Sequence, residues 1–551
     1  MASDATLPLP TGSIPERTSA AFVAALAIAS SATSLSNGFA FDDVAIILGN
    51  ERVHQLTNWW TLFVSSYWPP SLGESLYRPM TMLAFALQWA IGKGSPGVFH
   101  AVSIGLYAAS CVLAYHFFRE LLSQEGAVVA AVLFAVHPVH VEAVGNVVGQ
   151  SELWAALAVL AACLTYVRAR KRGTFSSAAI ATIALAYLAG ALFKEHALLL
   201  PLLLIAIEAF AVRDDRPLAA RARTLTPLFL VLLLAGVAIL AARMAVVGSL
   251  IGEKQVVEMD PIERVWMMFR VAPEWVRLML WPAHLSAYYG PRDITIDRGP
   301  TLLNALGVGL LVLSVVAFVV ARRRSPRVSF AIAWLAVTLF PASNLLSGFI
   351  LEEHTLFLPS VGAVMLVGLA WEHVVERRVA PAQTLRLTAT ALVLAAMAAG
   401  IVRSAGRQRV WRDNMSLFAA TVRDAPMSYR AHYLYGTTLF EAGQLKEGER
   451  ELQTAMRLDD KDADPYNYLA TKYREAKVYQ LAIPLYQRAL SLNPSRPDAR
   501  FGLAYSLFER GDIASARAHA DTGLAQGQLR SYFQWILAKA DSVNARVTPP
   551  R

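Results

Sequence analysis

The chain has 551 residues, of which 55% are apolar and 17% charged, with a formal charge of +9 and two cysteines. A water-soluble enzyme of this length carries more charge, so the balance points to a protein solvated largely by lipid. The arginines cluster between apolar runs, as in membrane loops, which argues against a nucleic-acid partner, and Cys111 and Cys163 lie inside apolar runs, which leaves no disulfide framework or cysteine metal site.

In chain order, residues 1–18 are polar and read as a cytoplasmic N-terminal tail. The apolar run that follows has no small-residue cleavage site before Phe39-Ala40-Phe41-Asp42-Asp43, so it reads as an uncleaved first span. A bilayer core requires about 20 apolar residues per helix, because backbone groups left unpaired in hydrocarbon are costly. Eleven runs meet that requirement, near 19–38, 98–118, 126–143, 152–168, 176–193, 196–212, 225–247, 301–321, 328–347, 355–374 and 383–402. They define a transmembrane domain over 19–402. Two amphipathic stretches, 52–68 and 262–281, carry Trp59, Trp60, Trp68, Trp266, Trp275 and Trp281 and are expected to lie along the interface.

Alternate loops differ in charge. One set holds Arg168, Arg170, Lys171 and Arg172, then Arg213, Arg216, Arg221 and Arg223, then Arg322, Arg323, Arg324 and Arg327, then Arg377 and Arg378. An excess of arginine and lysine marks that set as cytoplasmic. The other set holds Asp42 and Asp43, the stretch from His137 to Glu152, Lys194 to His196, the loop 248–300, and Glu352 to His354. With an odd number of crossings the tail after residue 402 falls on this second, outer face.

Several groups on that face carry possible chemistry. Asp42 and Asp43 follow the first span directly; one carboxylate of such a pair can accept a proton from a hydroxyl while its neighbour tunes it, although the pair alone equally fits a solvated helix end. Arg78, in Tyr77-Arg78-Pro79, has the fork that suits a phosphate, and an interface anchor is its plainer reading. His137, His140 and Glu142 lie within six residues, but the spacing is not the i, i+4 pairing of a zinc helix and Pro138 interrupts it, so they read as a polar helix end and no metal ligand is assigned. Lys194-Glu195-His196 interrupts two apolar runs at a tight outer turn, either as a hairpin cap or as a cation near a lipid phosphate with Glu195 as its counter-ion.

After a connecting segment, 403–428, the chain repeats every 34 residues over 429–462, 463–496 and 497–530, the period of the tetratricopeptide helix-turn-helix unit. Gly436, Ala470 and Ala504 recur where two helices approach, Leu439, Tyr473 and Leu507 recur as large residues, and Gly443 and Gly511 mark turns, with Pro494 closing the second repeat. Residues 531–551 read as a capping helix and tail. Stacked repeats present a concave surface to peptide or protein.

Taken together, Phe41-Asp42-Asp43 with Asn50, Tyr77-Arg78-Pro79, the run from His137 to Glu152, Lys194-Glu195, Leu280-Trp281-Pro282 with Leu285-Ser286-Ala287-Tyr288-Tyr289, Pro341-Ala342-Ser343-Asn344-Leu345, Leu358-Pro359-Ser360-Val361-Gly362, and Arg409, Trp411 and Asp413 leading into the repeats resemble the transmembrane and TPR repeat-containing family, GT-C class membrane glycosyltransferases. The resemblance covers about residues 19 to 530. Two positions depart from it: Gly149-Gln150-Ser151-Glu152 stands where Gly-Arg-x-Glu is common, and Glu353-His354 where Glu-Arg is common, each removing an outer-face arginine. The resemblance implies an all-α protein: a polytopic transmembrane bundle of GT-C type with about 11 spans, followed by a TPR solenoid. It implies transfer of a sugar, mannose in the characterised relatives, from a polyprenyl-phosphate carrier to a protein hydroxyl, with inversion. On that reading Asp42 and Asp43 are catalytic, and Arg78, Lys194, Arg292 and His354 meet the donor phosphate. His137, His140, Glu142, Glu195 and Glu353 form a supporting polar cluster, and Tyr435, Tyr466 and Tyr473 contact the acceptor polypeptide. A divalent metal is compatible with this chemistry and no ligand set for one is assigned. The alternatives are transfer to a lipid or surface polysaccharide, or a non-enzymatic TPR scaffold. A short chain rich in alanine and arginine suggests a bacterial plasma membrane, with site and repeats facing the periplasm.

Overall fold

The computed structural model describes residues 15–69, 72, 75–173, 175–212, 214–250, 259–290, 294–296, 299–345, 350–376 and 382–547, and no strand occurs among them. Arg213, Arg292, Arg377 and Arg378 lie outside the described residues. The chain divides into two units, one formed by 1–287 with 294–417, the other by 288–293 with 418–551.

The first unit contains α1 (Glu16–Ser31), α2 (Pro79–Gly92), α3 (Pro96–Leu121), α4 (Gln124–Ala135), α5 (Val141–Gly145), α6 (Gln150–Lys171), α7 (Ser177–Phe193), α8 (Leu200–Ala206), α9 (Leu218–Val247), α10 (Pro261–Leu280), α11 (Leu302–Arg324), α12 (Pro326–Leu339), α13 (Phe357–Glu376) and α14 (Ala382–Gln408). Local chemistry sets where several of them begin. Proline occupies the first turn of α2, α3, α10 and α12, where its missing N–H is no loss. The Ser123 side chain accepts from Gly126 N at the start of α4, and capping boxes pair Asp260 with Glu263 and Thr301 with Asn304.

Among the described residues seven helices are long and apolar enough to cross a membrane, or eight if α4 and the bent segment Pro138–Gly145, 47° apart, count as one. Polar contacts sort the helix ends into two groups. At one end Glu16 meets His116, Glu120 meets Arg168 and Lys171, Arg170 and Arg221 share Glu208, Arg327 meets Glu372 and Arg386 meets Glu125. At the other end Asn37 bonds Gln408, His100 bonds Gly38, Asp43 bonds Val147 and Val148, Arg78 bonds Glu195, and Glu142 bonds His354. Between these ends the shorter apolar helices α7 and α12 and the segmented stretch 195–211 accompany the seven or eight longer ones. Two of the runs read from hydropathy differ in form from a single helix. The 196–212 run is not one helix but a turn over Glu195–Leu199, α8, and a wider turn over Ile207–Ala211. The 126–143 run breaks at Pro138, which cannot donate to the ladder.

The two expected interfacial stretches behave differently. Residues 262–281 form α10, whereas 52–68 contain only the short turns Glu51–Val53 and Trp59–Val64. The interior is built on α3, α4, α6, α12 and α13, where Phe117, Phe118, Phe134, Tyr166, Trp334 and Phe357 are fully enclosed. In the most apolar stretch of α6, 78% of residues are buried, against 11% in α11, so α6 is central and α11 peripheral.

The boundary between the units falls within α15 (Asn414–Asp424). Beyond it come three helix pairs, α16 (Tyr429–Glu441) with α17 (Leu445–Leu458), α18 (Ala463–Glu475) with α19 (Tyr479–Leu492), and α20 (Pro497–Glu509) with α21 (Ile513–Ala525), closed by α22 (Arg530–Val547). The helix starts repeat in the 34-residue register of the sequence. Gly443 and Gly511 turn between paired helices with φ of 78° and 91°, and Lys477 adopts 61° at the matching place in the second repeat. A Cβ on Gly502 would collide with the Tyr486 ring, which is how closely successive pairs stack. Phe533 and Ile536 of α22 cover Ala504 and Ala520, sealing the last pair.

Candidate functional site

The end of α1 turns sharply. Phe41 takes a φ of 55°, and its N–H donates to Asn414 Oδ1 at 2.6 Å. A bulky residue in the left-handed region is held there only when its surroundings demand it. The turn gives the two neighbouring carboxylates different environments. Asp43 is fully buried and accepts N–H groups from Val147 (3.1 Å), Val148 (2.8 Å) and Ala40 (3.4 Å). Burial pushes its carboxyl up to about 7, against the opposing pull of the Val148, Val147 and Ala40 amides. Asp42 is half-buried.

Arg78 sits at the N-cap of α2 and forks onto Glu195, Nε to Oε2 at 2.9 Å and Nη2 to Oε1 at 3.2 Å. Its guanidinium also lies 5.2 Å from the Tyr67 ring centroid. The buried Tyr67 hydroxyl lies within electrostatic reach of Arg78, Asp42, Asp43 and Glu195. Arg243 of α9 approaches Glu195 to 3.7 Å and donates to Ser75 O at 3.3 Å.

Lys194 Nζ is 2.7 Å from Glu152 Oε2 and His196 Nε2 is 3.5 Å from Glu152 Oε1. The counter-ion expected for Lys194 was Glu195; the structure instead pairs Lys194 with Glu152 and Glu195 with Arg78. The extended backbone of Lys194 turns the adjacent side chains apart. His354 donates its backbone N–H to Glu142 Oε2 (3.0 Å), its ring Nδ1 lies 2.9 Å from Glu142 Oε1, and it is within electrostatic reach of Lys194. Glu353 is buried and accepts Ser286 N–H at 2.6 Å.

The structure thus brings together Asp42, Asp43, Arg78, Lys194, Glu195, Glu142 and His354, with Glu353 beside the last. It does not bring in His137 or His140. His140 is enclosed, its ring nitrogens meeting Tyr107 Oη at 3.1 Å and Ser360 Oγ at 2.9 Å, between the rings of Phe134 and Phe357. His137 caps the turn after α4 and meets Met279 O at 2.9 Å. Both are packing residues at the break in the helix rather than members of the polar cluster. Gln150 is likewise enclosed, exchanging two amide hydrogen bonds with Gln88 at the start of α6. Among the described residues no three His, Cys, Asp or Glu side chains are placed to hold a metal.

Reading the sequence missed Tyr67, Arg243 and the full weight of Glu152. The signal for Arg243 was a lone charge inside the apolar run 225–247, a position that favours a functional partner.

The repeat unit holds a cavity of about 460 Å³ lined by Tyr433, Asn467, Tyr468, Arg474, Phe501 and Tyr532, among others. The expected acceptor contacts are not among its lining residues. Tyr473 donates to Glu449 at 2.5 Å, Tyr466 packs under Arg488, and Tyr435 is half-buried on α16. The cavity wall is instead carried by residues one or two positions away, Tyr433, Asn467, Tyr468 and Arg474.

Residues 473–540 match the tetratricopeptide repeat model. Over longer stretches the chain is similar to human protein O-mannosyl-transferase TMTC3, at 28% identity over 63% of this chain and 41% of the relative. It is also similar to the Drosophila melanogaster protein O-mannosyl-transferase Tmtc3, at 24% identity over 85% and 58%, and to human TMTC1, at 26% over 80% and 55%. A solved structure, the Archaeoglobus fulgidus oligosaccharyltransferase tethered with an acceptor peptide, aligns with a TM-score of 0.41 at 14% identity, over 71% of this chain and 55% of that one. The chain spans roughly two fifths to three fifths of the length of these curated relatives. The chain thus combines an apolar multi-helix unit with a tetratricopeptide array later in the sequence, and in sequence it is similar to the protein O-mannosyl-transferases of the transmembrane and TPR repeat-containing family.

Proposed function

We propose that the chain is a multi-pass membrane glycosyltransferase that moves a mannose-like sugar from a polyprenyl-phosphate carrier to a Ser or Thr hydroxyl of a polypeptide. The observation that carries the reading is the division of labour in the aspartate pair. Asp43 is spent on backbone N–H groups, while half-buried Asp42 lies within electrostatic reach of Tyr67, whose ring sits under the Arg78 guanidinium. Asp42 takes the proton of the acceptor hydroxyl, whose oxygen bonds to the anomeric carbon from the face opposite the leaving group. The carbon–oxygen bond to the carrier breaks with inversion, and the lipid phosphate leaves with the electron pair. Arg78 meets the charge that grows on that phosphate, after the phosphate displaces Glu195 from its fork. Lys194 and His354 add positive potential from behind.

Sidedness is part of the proposal. The arginine-rich end of the first unit is taken as cytoplasmic and the Asp42 end as extracytoplasmic, in a bacterial plasma membrane. At the end of α14 Gln408 O accepts from Asn37 Nδ2 at 2.8 Å, so the chain leaves the first unit at the Asp42 end. That supports placing the tetratricopeptide array in the same compartment, where it holds the acceptor and raises its local concentration. The peptide-binding habit of such arrays favours a protein acceptor over a lipid.

The test uses purified protein, a polyprenyl-phosphate mannose donor and a Ser/Thr-rich polypeptide. Wild type should transfer sugar, and Asp42→Asn should lower the rate by about 10²–10⁴-fold, the usual weight of a positioned base. Unchanged transfer by Asp42→Asn, or none by wild type, overturns the reading.

A further inference from the structure

Helix α10 carries a charge where its own pattern calls for an apolar side chain. Ile262, Val265, Val276 and Leu280 are exposed, while Met267, Arg270, Val271, Trp275 and Leu278 are buried, so Arg270 stands in the inner stripe. Only 8% of Arg270 is exposed, and its Nε and Nη1 have no hydrogen-bond partner. Trp275, buried just over one turn further on, has an unpartnered Nε1–H as well. The inner face therefore presents buried donors without an acceptor. A guanidinium at a membrane surface ordinarily turns its head to water, which this one does not do.

The helix is fixed in this pose. Gly307 of α11 admits the Phe269 carbonyl so closely that a Cβ there would collide with it, and Asn304 Nδ2 donates to Trp266 O at 2.8 Å. An ion buried without a partner is strongly disfavoured, so a rigid element that holds one implies a ligand of opposite charge. A planar fork, with an indole N–H on the same buried face of the helix, suits a phosphate oxygen set. The exposed apolar face of α10, ending in Leu280 and Trp281, places the helix along lipid, where the available anion is a phosphate ester.

We propose that Arg270, assisted by Trp275, binds the phosphate ester of a membrane lipid. The inference rests on the proposed function only where that lipid is taken to be the sugar carrier. The same chemistry is offered by an ordinary anionic phospholipid, and the two sources separate experimentally.

The full chain in phosphatidylcholine nanodiscs would be titrated with sugar-free polyprenyl phosphate and, separately, with phosphatidylglycerol, reading bound lipid by native mass spectrometry and the shift in Tm. Wild type should bind at least one of them. Arg270→Met should weaken that binding about tenfold or more, as loss of charge-assisted hydrogen bonds does, without lowering the lipid-free Tm, while Arg270→Lys should fall between. A loss confined to polyprenyl phosphate identifies the carrier; a loss for phosphatidylglycerol, alone or with it, identifies a phospholipid site. Unchanged binding of both lipids, no binding by wild type, or an Arg270→Met protein that no longer folds would each overturn the inference. No sugar is transferred in this assay, so its outcome is independent of whether the chain proves to be a transferase.

Discussion

Asp43→Asn separates the two neighbouring aspartates by a measurement of stability rather than activity. The Asp43 carboxyl is pushed from an ordinary 3.8 to about 7 by burial. Between those values the folded chain keeps a proton that the unfolded chain releases, so stability from this group is complete below about pH 4 and is lost as pH rises to about 7. The difference amounts to about 4 kcal/mol across that window. An asparagine keeps one oxygen for the Val148 N–H at 2.8 Å but turns its NH2 toward another donor, an unsatisfied contact worth about 1–3 kcal/mol. It also removes the buried charge, so near pH 8 the two changes oppose each other and the variant should lie close to wild type. Thermal unfolding in detergent from pH 4 to pH 8 should show wild-type Tm falling with pH and the Asp43→Asn curve flatter by the contribution of this one group. If the two proteins share the same slope, Asp43 is not the buried, proton-holding carboxylate described, and its assignment as the structural partner of Asp42 fails.

Two further outcomes follow from packing and connectivity. Gly307→Ala should push α10 away from α11, because the obstructing atom is the Phe269 carbonyl and cannot rotate aside; a loss of about 1–3 kcal/mol in stability is expected, measured as a drop in Tm, and an unchanged Tm would contradict the close approach. Cys111 and Cys163 are both buried, so single cysteines introduced at Leu48 and at Leu445, both exposed, can be labelled with a membrane-impermeant reagent in intact cells. Both should react from outside; reaction of one only would separate the aspartate pair from the repeats.

What could be read from sequence was whatever repeats or accumulates. The apolar helices emerged because each sums the hydropathy of many residues, and the helix pairs emerged because 429, 463 and 497 share a register. Even there Lys477 shows a limit, since it takes the left-handed turn that glycine fills in the other repeats. Pairings between distant residues were not legible. Asp42 and Asp43 are neighbours, and only the Phe41 turn and the amides of Val147 and Val148, over a hundred residues later, distinguish them. Lys194 and Glu195 looked like partners, yet each found its counter-charge elsewhere, in Glu152 and Arg78. His137 and His140 stood out as paired imidazoles, but the bend at Pro138 turned His140 into the interior toward Tyr107 and Ser360. The tyrosines expected in the repeat groove were displaced by a residue or two, which on a helix is enough to change the face.

Glycopeptide mass spectrometry of cells that carry wild type, Asp42→Asn or no copy of the chain would put sugar transfer to protein to its sharpest trial. Hexose on Ser or Thr of extracytoplasmic polypeptides should be present with wild type and absent in both other cases. The same glycopeptides persisting with Asp42→Asn, or in cells lacking the chain, would contradict a polypeptide glycosyltransferase that works through Asp42.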